Sequence, residues 1–252
     1  MMDERTPEKT PANKLPSWLV ASLAVMLIAS MALFATLNLM QAYLTTKANE
    51  RQAAYEAVLS NYHVVENAAG GRSITWQSVI ERYASEYNLQ PAFVAAIIRN
   101  ESSFRTNAES NVGARGLMQL MPDTAEWIAG KLDDSSYSFD RMYDAETNIR
   151  YGCWYLGYLS ELFRGDPILV SAAYHAGQGD VRGWLGDRSI SADGLTVPLD
   201  KVPIAETRQY AGRVTQAYGI YQTLLYPENA FSAPSAALPA DGADHRIAAA
   251  VR

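Results

Sequence analysis

The 252-residue sequence contains one cysteine, Cys153, so an internal disulfide is impossible and cysteine usage does not reveal a compartment. With no histidine or asparagine constellation pointing to it, this thiol is most simply a small core residue. The sequence also lacks a basic run, and its formal net charge of −6 gives no indication of a nucleic-acid partner. It has no internal repeat and no convincing alternation of apolar and polar residues, so the expected fold class is all-α.

Charged residues are absent from the interval Leu15 to Thr46. Inside this interval Trp18 to Met40 is an almost unbroken apolar run, long enough to cross a bilayer as a helix. A buried core helix is disfavoured, because so continuous an apolar surface has no polar side to present to water. We therefore predict a transmembrane anchor over residues 15–43.

The residues that flank this anchor predict its orientation. Aromatic rings near both ends, Trp18 and Tyr43, suit the bilayer interface, and basic residues slightly favour the N-terminal side, with Arg5, Lys9 and Lys14 before the run and Lys47 and Arg51 after it. This bias places a tail of residues 1–14 in the cytoplasm. The alternative is a cleaved signal peptide with a cleavage site at Ser30-Met31-Ala32, although its apolar region would be unusually long.

Residues 44–72 follow the anchor and are interpreted as a helical stalk or linker. Helix-forming residues fill 47–69, with apolar positions at helical spacing (Tyr55, Val58, Leu59 and Tyr62), and Gly70-Gly71 ends the pattern. The helix is expected to hold the next domain away from the membrane, to pack on that domain or to pair with another copy. At the other end, residues 228–252 are rich in Ala, Ser, Pro and Asp and are predicted to be disordered.

The region 73–227 is predicted to be one helical domain. Its helices have recognisable N-terminal residues, with proline at the first position or aspartate as the cap: Pro91, Pro122, Asp144 and Pro167. A long final helix is expected from Ile204 to Leu225.

Glu101 is the candidate catalytic residue within this domain. In a helix that begins at Pro91, Phe93 and Ile97 lie two turns and one turn before Glu101, so the carboxyl group falls on the apolar face. Burial and the nearby helix C-terminus both disfavour a negative charge and raise a carboxyl pKa, as a general acid requires. The alternative is a carboxylate at a frayed helix end that turns to water.

Four motifs follow one another along the domain: Glu101-Ser102, Gly116-Leu117-Met118-Gln119, Ala173-Tyr174-His175-Ala176-Gly177 and Glu206-Thr207-Arg208-Gln209-Tyr210. In these motifs and their order, the chain resembles the lytic transglycosylases of the SLT-domain family, which have a goose-lysozyme-like fold. The resemblance covers roughly residues 74–226. It implies a lysozyme-like domain on the extracytoplasmic side of the membrane that acts on the glycan strands of peptidoglycan.

The resemblance also implies a mechanism with one carboxyl group and without a metal or cofactor. Glu101 protonates the oxygen between N-acetylmuramic acid and N-acetylglucosamine, and then removes the proton from the C6 hydroxyl as a 1,6-anhydro ring closes. Two alternatives stay open: a muramidase on the same fold, and a wall-binding scaffold with an inactive site.

Seven further residues are carried over from the family as substrate-binding or supporting positions: Ser102, Met118, Gln119, Tyr174, His175, Glu206 and Tyr210. Met118 is expected in the floor of the cleft, and Glu206 is expected to shape the cleft rather than act as a second acid. One position departs from the family pattern, because His175 stands where asparagine is usual. A neutral imidazole can replace part of the hydrogen bonding of an amide.

Overall fold

The computed structural model describes residues 15–227. The predicted cytoplasmic tail, 1–14, and the predicted disordered tail, 228–252, lie outside the described residues. Within 15–227 the chain forms eight α-helices, two short 3-10 helices and a hairpin of two-residue strands. The all-α prediction is confirmed.

The first helix, α1 (Ser17–Asn61), contains residues 17–43 of the predicted anchor. It is long and apolar enough to cross a membrane, and the side chains of its apolar segment are exposed. The few polar side chains in this segment bond to the helix itself, as when Ser30 and Thr36 donate their hydroxyls to the carbonyls of Leu27 and Leu33, both at 2.8 Å. These groups therefore need no water, which suits a helix surrounded by lipid.

The predicted stalk helix ends earlier than the sequence indicated. It stops at Asn61 rather than at Ala69, and a hairpin that the sequence analysis missed follows, with β1 (Val65–Glu66) antiparallel to β2 (Arg72–Ser73). The Asn67 side chain accepts hydrogen bonds from the backbone amides of Ala69 and Gly71, at 3.0 and 2.9 Å. This local turn competes with helix, as asparagine side chains commonly do.

The described residues divide into two compact units, 15–55 and 56–227. The end of α1 thus belongs to the second unit, where Val58, Leu59 and Tyr62 are buried. The Tyr221 hydroxyl fixes this segment by donating to the Tyr62 carbonyl oxygen at 2.8 Å. Residues 56–62 therefore pack on the domain, one of the three roles considered for the predicted stalk.

The second unit continues with helices whose starts agree closely with the sequence. Their bounds are α2 (Gln77–Glu86), α3 (Pro91–Ser102), α4 (Pro122–Lys131), α5 (Ala145–Leu162), α6 (Pro167–Ala176), α7 (Gln178–Gly186) and α8 (Ala205–Leu225), with 3-10 helices at Phe139–Tyr143 and Leu199–Lys201. Proline occupies the first turn of α3, α4 and α6, as predicted. Asp144 caps α5 by accepting the amide of Thr147 at 2.8 Å.

The centre of this unit is α3, which packs on α8 and α2, while α8 packs on α6. Seven consecutive α3 residues, 92–98, are buried, so the helix has no solvent-exposed face before its last turn. That last turn carries Glu101. The core therefore fixes the position of the candidate acid.

Candidate active site

Glu101 lies in the last turn of α3, where the chain reverses sharply. Ser103 and Phe104 follow with φ values of 51° and 61°, the left-handed region that non-glycine residues seldom adopt. Backbone strain of this kind concentrates at functional sites. Glu101 itself is half-buried.

The Tyr210 hydroxyl, which comes from α8, donates a hydrogen bond to Glu101 Oε1 at 2.5 Å. Burial raises the pKa of Glu101 to about 7, although this hydrogen bond and the charge of Arg213 both act to lower it. Tyr210 is itself buried, and burial together with the Glu101 charge raises its pKa well above 10.0, so it remains a donor. Glu101 is therefore poised to hold or release a proton near neutral pH.

Ser102 points away from solvent. It is buried, and its hydroxyl donates to the carbonyl oxygens of Leu117, at 2.8 Å, and Ile98, at 3.2 Å. This serine joins the end of α3 to the Gly116–Gln119 loop and so positions the loop against the acid.

Gln119 is the last residue of this loop and has a positive φ of 46°. Its side-chain amide donates to the carbonyl oxygens of Gly116, at 2.9 Å, and Ala108, at 3.1 Å. These two hydrogen bonds stabilise the loop that follows α3, and Gln119 is half-buried.

Tyr174, in α6, bonds to the other side of this loop. Its hydroxyl donates to the Met118 carbonyl oxygen at 2.6 Å. Burial, and then the negative charge of Glu101, raise the Tyr174 pKa well above 10.0. Tyr174 is therefore a neutral side chain, close enough to Glu101 for the carboxylate charge to affect its pKa.

His175 contacts the residue that holds the acid. Its Nδ1 lies 3.0 Å from Thr207 Oγ1, and its ring centroid lies 4.7 Å from that of Tyr210. Burial and the charge of Arg213 lower the His175 pKa, against an opposite effect of Glu206. A neutral imidazole therefore stands where the family usually has an amide, one ring away from Glu101.

The family model of the transglycosylase SLT domain matches residues 78–194. The chain carries a transglycosylase SLT domain. The match ends before α8, so Glu206 and Tyr210 lie outside it.

Curated relatives and solved structures agree with this assignment. The chain is 37% identical over 149 residues to the soluble lytic murein transglycosylase of Escherichia coli strain K12, covering 59% of this chain and 23% of that relative. It is 28% identical over 199 residues to the membrane-bound lytic murein transglycosylase C of Serratia proteamaculans, covering 70% of this chain and 55% of the relative. The chain therefore spans about a quarter of the length of the first relatives it matches.

The X-ray structure of an inactive mutant of lytic transglycosylase Slt from Pseudomonas aeruginosa superposes with a TM-score of 0.55. The two sequences are 35% identical, and the match covers 62% of this chain and 25% of the Pseudomonas aeruginosa chain. The lysozyme-like fold expected for the SLT domain is thus supported by sequence and by structure.

Met118 does not lie where the family resemblance led us to expect it. Met118 is 0% exposed and packs on Gly152 of α5, where a Cβ would lie 2.1 Å from its sulfur. It is a core residue and not the exposed floor of a cleft. Met121, which precedes α4, is 39% exposed and is the methionine of this segment that faces solvent.

Asn148 supports the SLT domain loop and was missed in the sequence. It is fully buried in α5, accepts the Met118 amide at 2.8 Å, and donates to the carbonyl oxygens of Arg115 and Met142 at 3.0 and 2.9 Å. Gly116 has a φ of 78°, and a Cβ there would meet the Met142 carbonyl oxygen at 2.1 Å. The signal in the sequence was the Asn148 amide on an otherwise apolar face of α5, which could have indicated a buried hydrogen-bonding role.

Glu206 and Arg213 complete the surroundings. Glu206 lies exposed in the first turn of α8, and Arg213 lies exposed three residues after Tyr210. The charge of Arg213 acts on both Glu101 and His175, although the sequence analysis did not select it. The structure thus brings Glu101, Tyr210 and His175 into one network, with Ser102, Gln119 and Tyr174 holding the adjacent loop.

Proposed function

We propose that this chain is a membrane-anchored murein lytic transglycosylase that cleaves the β-1,4 bond between N-acetylmuramic acid and N-acetylglucosamine. The observation that carries the proposal is the half-buried Glu101 carboxyl, with a pKa raised to about 7 and Tyr210 on one of its oxygens. A carboxyl group of this pKa serves first as acid and then as base near neutral pH.

The first chemical step is proton transfer from Glu101 to the glycosidic oxygen. The C1–O bond breaks, its electron pair stays on the leaving oxygen, and the muramyl N-acetyl oxygen stabilises the cationic C1. Tyr210 remains hydrogen-bonded to the carboxylate that forms. The barrier is lowered because the donor is fixed before the substrate arrives.

The second step reverses the role of Glu101. The carboxylate takes the proton of the muramyl C6 hydroxyl, and the C6 oxygen attacks C1 to close a 1,6-anhydro ring. No water is consumed, so Glu101 returns to its protonated form at the end of the cycle. One carboxyl group is sufficient for both transfers.

The two nearby carboxylates in the sequence are poor second acids. Glu109 is engaged with the Tyr143 hydroxyl at 2.7 Å and with Arg115 Nε at 3.3 Å, and these contacts lower its pKa. Asp123 lies exposed in the first turn of α4. Glycosidases with two catalytic carboxyls need the second one placed across the scissile bond.

The membrane part of the proposal has α1 as a single uncleaved span, with residues 1–14 in the cytoplasm and the SLT domain on the cell-wall side. The exposed apolar surface of α1 supports it, and the membrane-bound relative has the same association in its name. Carbonate extraction of membranes that contain the full chain tests it. Release into the soluble fraction at full-length mass would contradict the anchor.

The decisive test of the activity is mass spectrometry of products from purified peptidoglycan, with the full chain in detergent and Glu101→Gln beside it. Fragments lighter by one water, with a 1,6-anhydro end and absent in the variant, are the expected result. Reducing ends without the anhydro ring would assign a muramidase. Absence of products from both proteins, with retained wall binding, would assign the scaffold.

A glutamate requirement is already a property of a relative. The Pseudomonas aeruginosa structure is of an inactive mutant in which one glutamate is replaced by glutamine. The same substitution in this chain is therefore a conservative test, because glutamine keeps the volume of Glu101 and removes only the ionisable proton.

A further inference from the structure

Five aromatic rings form a continuous group that reaches from the candidate site to the surface of α4 and α5. They are Trp127, Trp154, Tyr155, Tyr158 and Tyr174, hereafter the aromatic cluster. Trp127 is 37% exposed and the other four are half-buried. Only Tyr174, at one end, belongs to the candidate site described above.

The aromatic cluster is continuous with the candidate site. Tyr174 bonds to the Met118 carbonyl oxygen and senses the Glu101 charge, and its ring centroid lies 5.4 Å from that of Tyr155. Tyr155 in turn lies 6.2 Å from Trp127. Two ring-to-ring contacts therefore connect the surroundings of the acid with the most exposed ring.

The cluster is also rigid. The Trp127 ring meets Trp154 and Tyr158 nearly edge-on, at 5.1 Å each and at interplanar angles of 75° and 72°. Trp154 and Tyr158 stack at 5.8 Å with an angle of 3°, and the Tyr158 hydroxyl donates to Gln178 Oε1 at 3.0 Å. Rings fixed in this way lose little conformational entropy when a ligand binds.

We propose that the aromatic cluster is a binding site for the glycan strand of the substrate, and that it takes sugar units remote from the bond that is cleaved. A pyranose ring presents a face of C–H groups, which matches the negative face of an aromatic ring. Its hydroxyls meet the tyrosine hydroxyls and the Gln178 amide at the edges of the cluster. This site rests on the proposed function, because a polymeric glycan threaded past Glu101 must continue beyond it.

Continuity with the acid favours the glycan strand over other occupants. The surface of α4 beside Trp127 carries Asp123 and Glu126 together with Lys131, so it has no excess of positive charge to attract anionic lipid. A second copy of the chain would have to leave the Tyr174 end accessible to substrate. The glycan strand uses both ends of the cluster at once.

The test uses the full chain in detergent micelles, with Glu101→Gln in every protein so that no strand is cleaved. Calorimetry gives the dissociation constants of an uncrosslinked disaccharide and an octasaccharide from peptidoglycan. Trp127→Leu removes the ring but keeps an apolar side chain, and Trp127→Tyr keeps an aromatic face. Trp76→Leu is the matched control, since Trp76 is 38% exposed and belongs to the start of α2.

The expected result is a weakening of octasaccharide binding by about tenfold in Trp127→Leu, the order found for stacking on one aromatic ring. Disaccharide binding stays within about twofold, Trp127→Tyr recovers most of the loss, and Trp76→Leu changes neither constant. Equal losses for both lengths, or no loss for the octasaccharide, would overturn the proposal. Self-association that disappears in Trp127→Leu, with glycan affinity unchanged, would assign the cluster to a second copy.

Failure of this site and failure of the proposed activity remain distinguishable. Products are measured with the active protein, whereas the length-dependent affinity is measured with a protein that cannot cleave. Anhydro products without length dependence would remove the cluster from the binding site. Length-dependent affinity without any product would keep the cluster and remove the catalytic proposal.

Discussion

Two glutamates of the second unit, residues 56–227, occupy opposite helix ends, and their surroundings differ accordingly. Glu101 lies at the C-terminal end of α3, half-buried and hydrogen-bonded to Tyr210, while Glu206 lies exposed in the first turn of α8. The helix dipole disfavours a negative charge at the first position and favours it at the second. The comparison shows that burial and helix position, more than residue type, decide which carboxyl group can serve as acid.

The largest effect that separates the two glutamates is on the rate. Glu101→Gln is expected to lower the clearing rate of purified peptidoglycan by about 10³-fold or more, because general acid–base catalysis alone contributes up to about 10⁴-fold. Turbidity of a wall suspension at pH 6 gives this rate for the full chain in detergent. Activity within tenfold of the wild type would show that Glu101 is not the acid.

The same substitution should change stability in a pH-dependent way. The folded-state pKa of Glu101 is raised from 4.5 to about 7, so the contribution of Glu101 to folding stability is fully present below pH 4.5 and is lost as pH rises through 7. A shift of this size corresponds to roughly 3 kcal/mol at most. Glu101→Gln stays neutral, so its advantage over the wild type should grow from about zero at pH 4 to a large part of that value at pH 8.

Thermal unfolding of the full chain in detergent at pH 4, 6 and 8 measures this difference, with Glu206→Gln as the exposed counterpart. The counterpart should show no growing advantage, since its carboxylate is solvated. A stability difference between Glu101→Gln and the wild type that is the same at all three pH values would mean that folding does not raise the pKa of Glu101.

Tyr210→Phe tests what the hydrogen bond adds to burial. The bond lowers the Glu101 pKa, so its loss should move the alkaline limb of the kcat/KM profile upward from about pH 7. The rate should also fall by about tenfold at the optimum, because the carboxyl loses a group that orients it. A pH–rate series gives both quantities.

Tyr218→Phe is the matched control for that measurement. Tyr218 is also on α8 and half-buried, with its ring against Phe93 at 5.5 Å. Its hydroxyl should matter to neither the rate nor the profile. A Tyr210→Phe profile that moves downward in pH would contradict the role of the hydroxyl as a donor to the carboxylate.

Local signals in the sequence were sufficient for most helix starts and for the partly buried setting of Glu101. Proline at the first turn of α3, α4 and α6 and the Asp144 cap act within a few residues, so sequence alone reveals them. The spacing of Phe93, Ile97 and Glu101 indicated an apolar setting for the carboxyl group. Those features depend on residues that are close in the chain.

Features that depend on distant partners were not predictable in the same way. Met118 and Met121 are three residues apart, and only the Gly152 surface of α5 decides that the first is buried. Asn148 and Arg213 act through the loop and the acid, which lie in other segments. The early end of α1 depended on side-chain bonding by Asn67, which competed with a favourable helical pattern.

The smallest expected effect belongs to Glu206. Its carboxylate is exposed, and its influence within the site is an electrostatic one on His175. Glu206→Gln should therefore change kcat by no more than about twofold, since exposed charges interact weakly through solvent. The substitution should also lower the His175 pKa slightly further, because a charge that raises this pKa is lost.

Rates at 50 mM and 500 mM salt separate a charge effect of Glu206 from substrate contact: a twofold change that vanishes at high salt is electrostatic. A loss comparable with that of Glu101→Gln would make Glu206 a second catalytic carboxyl, and the contrast between the two helix ends would then no longer explain the choice of acid.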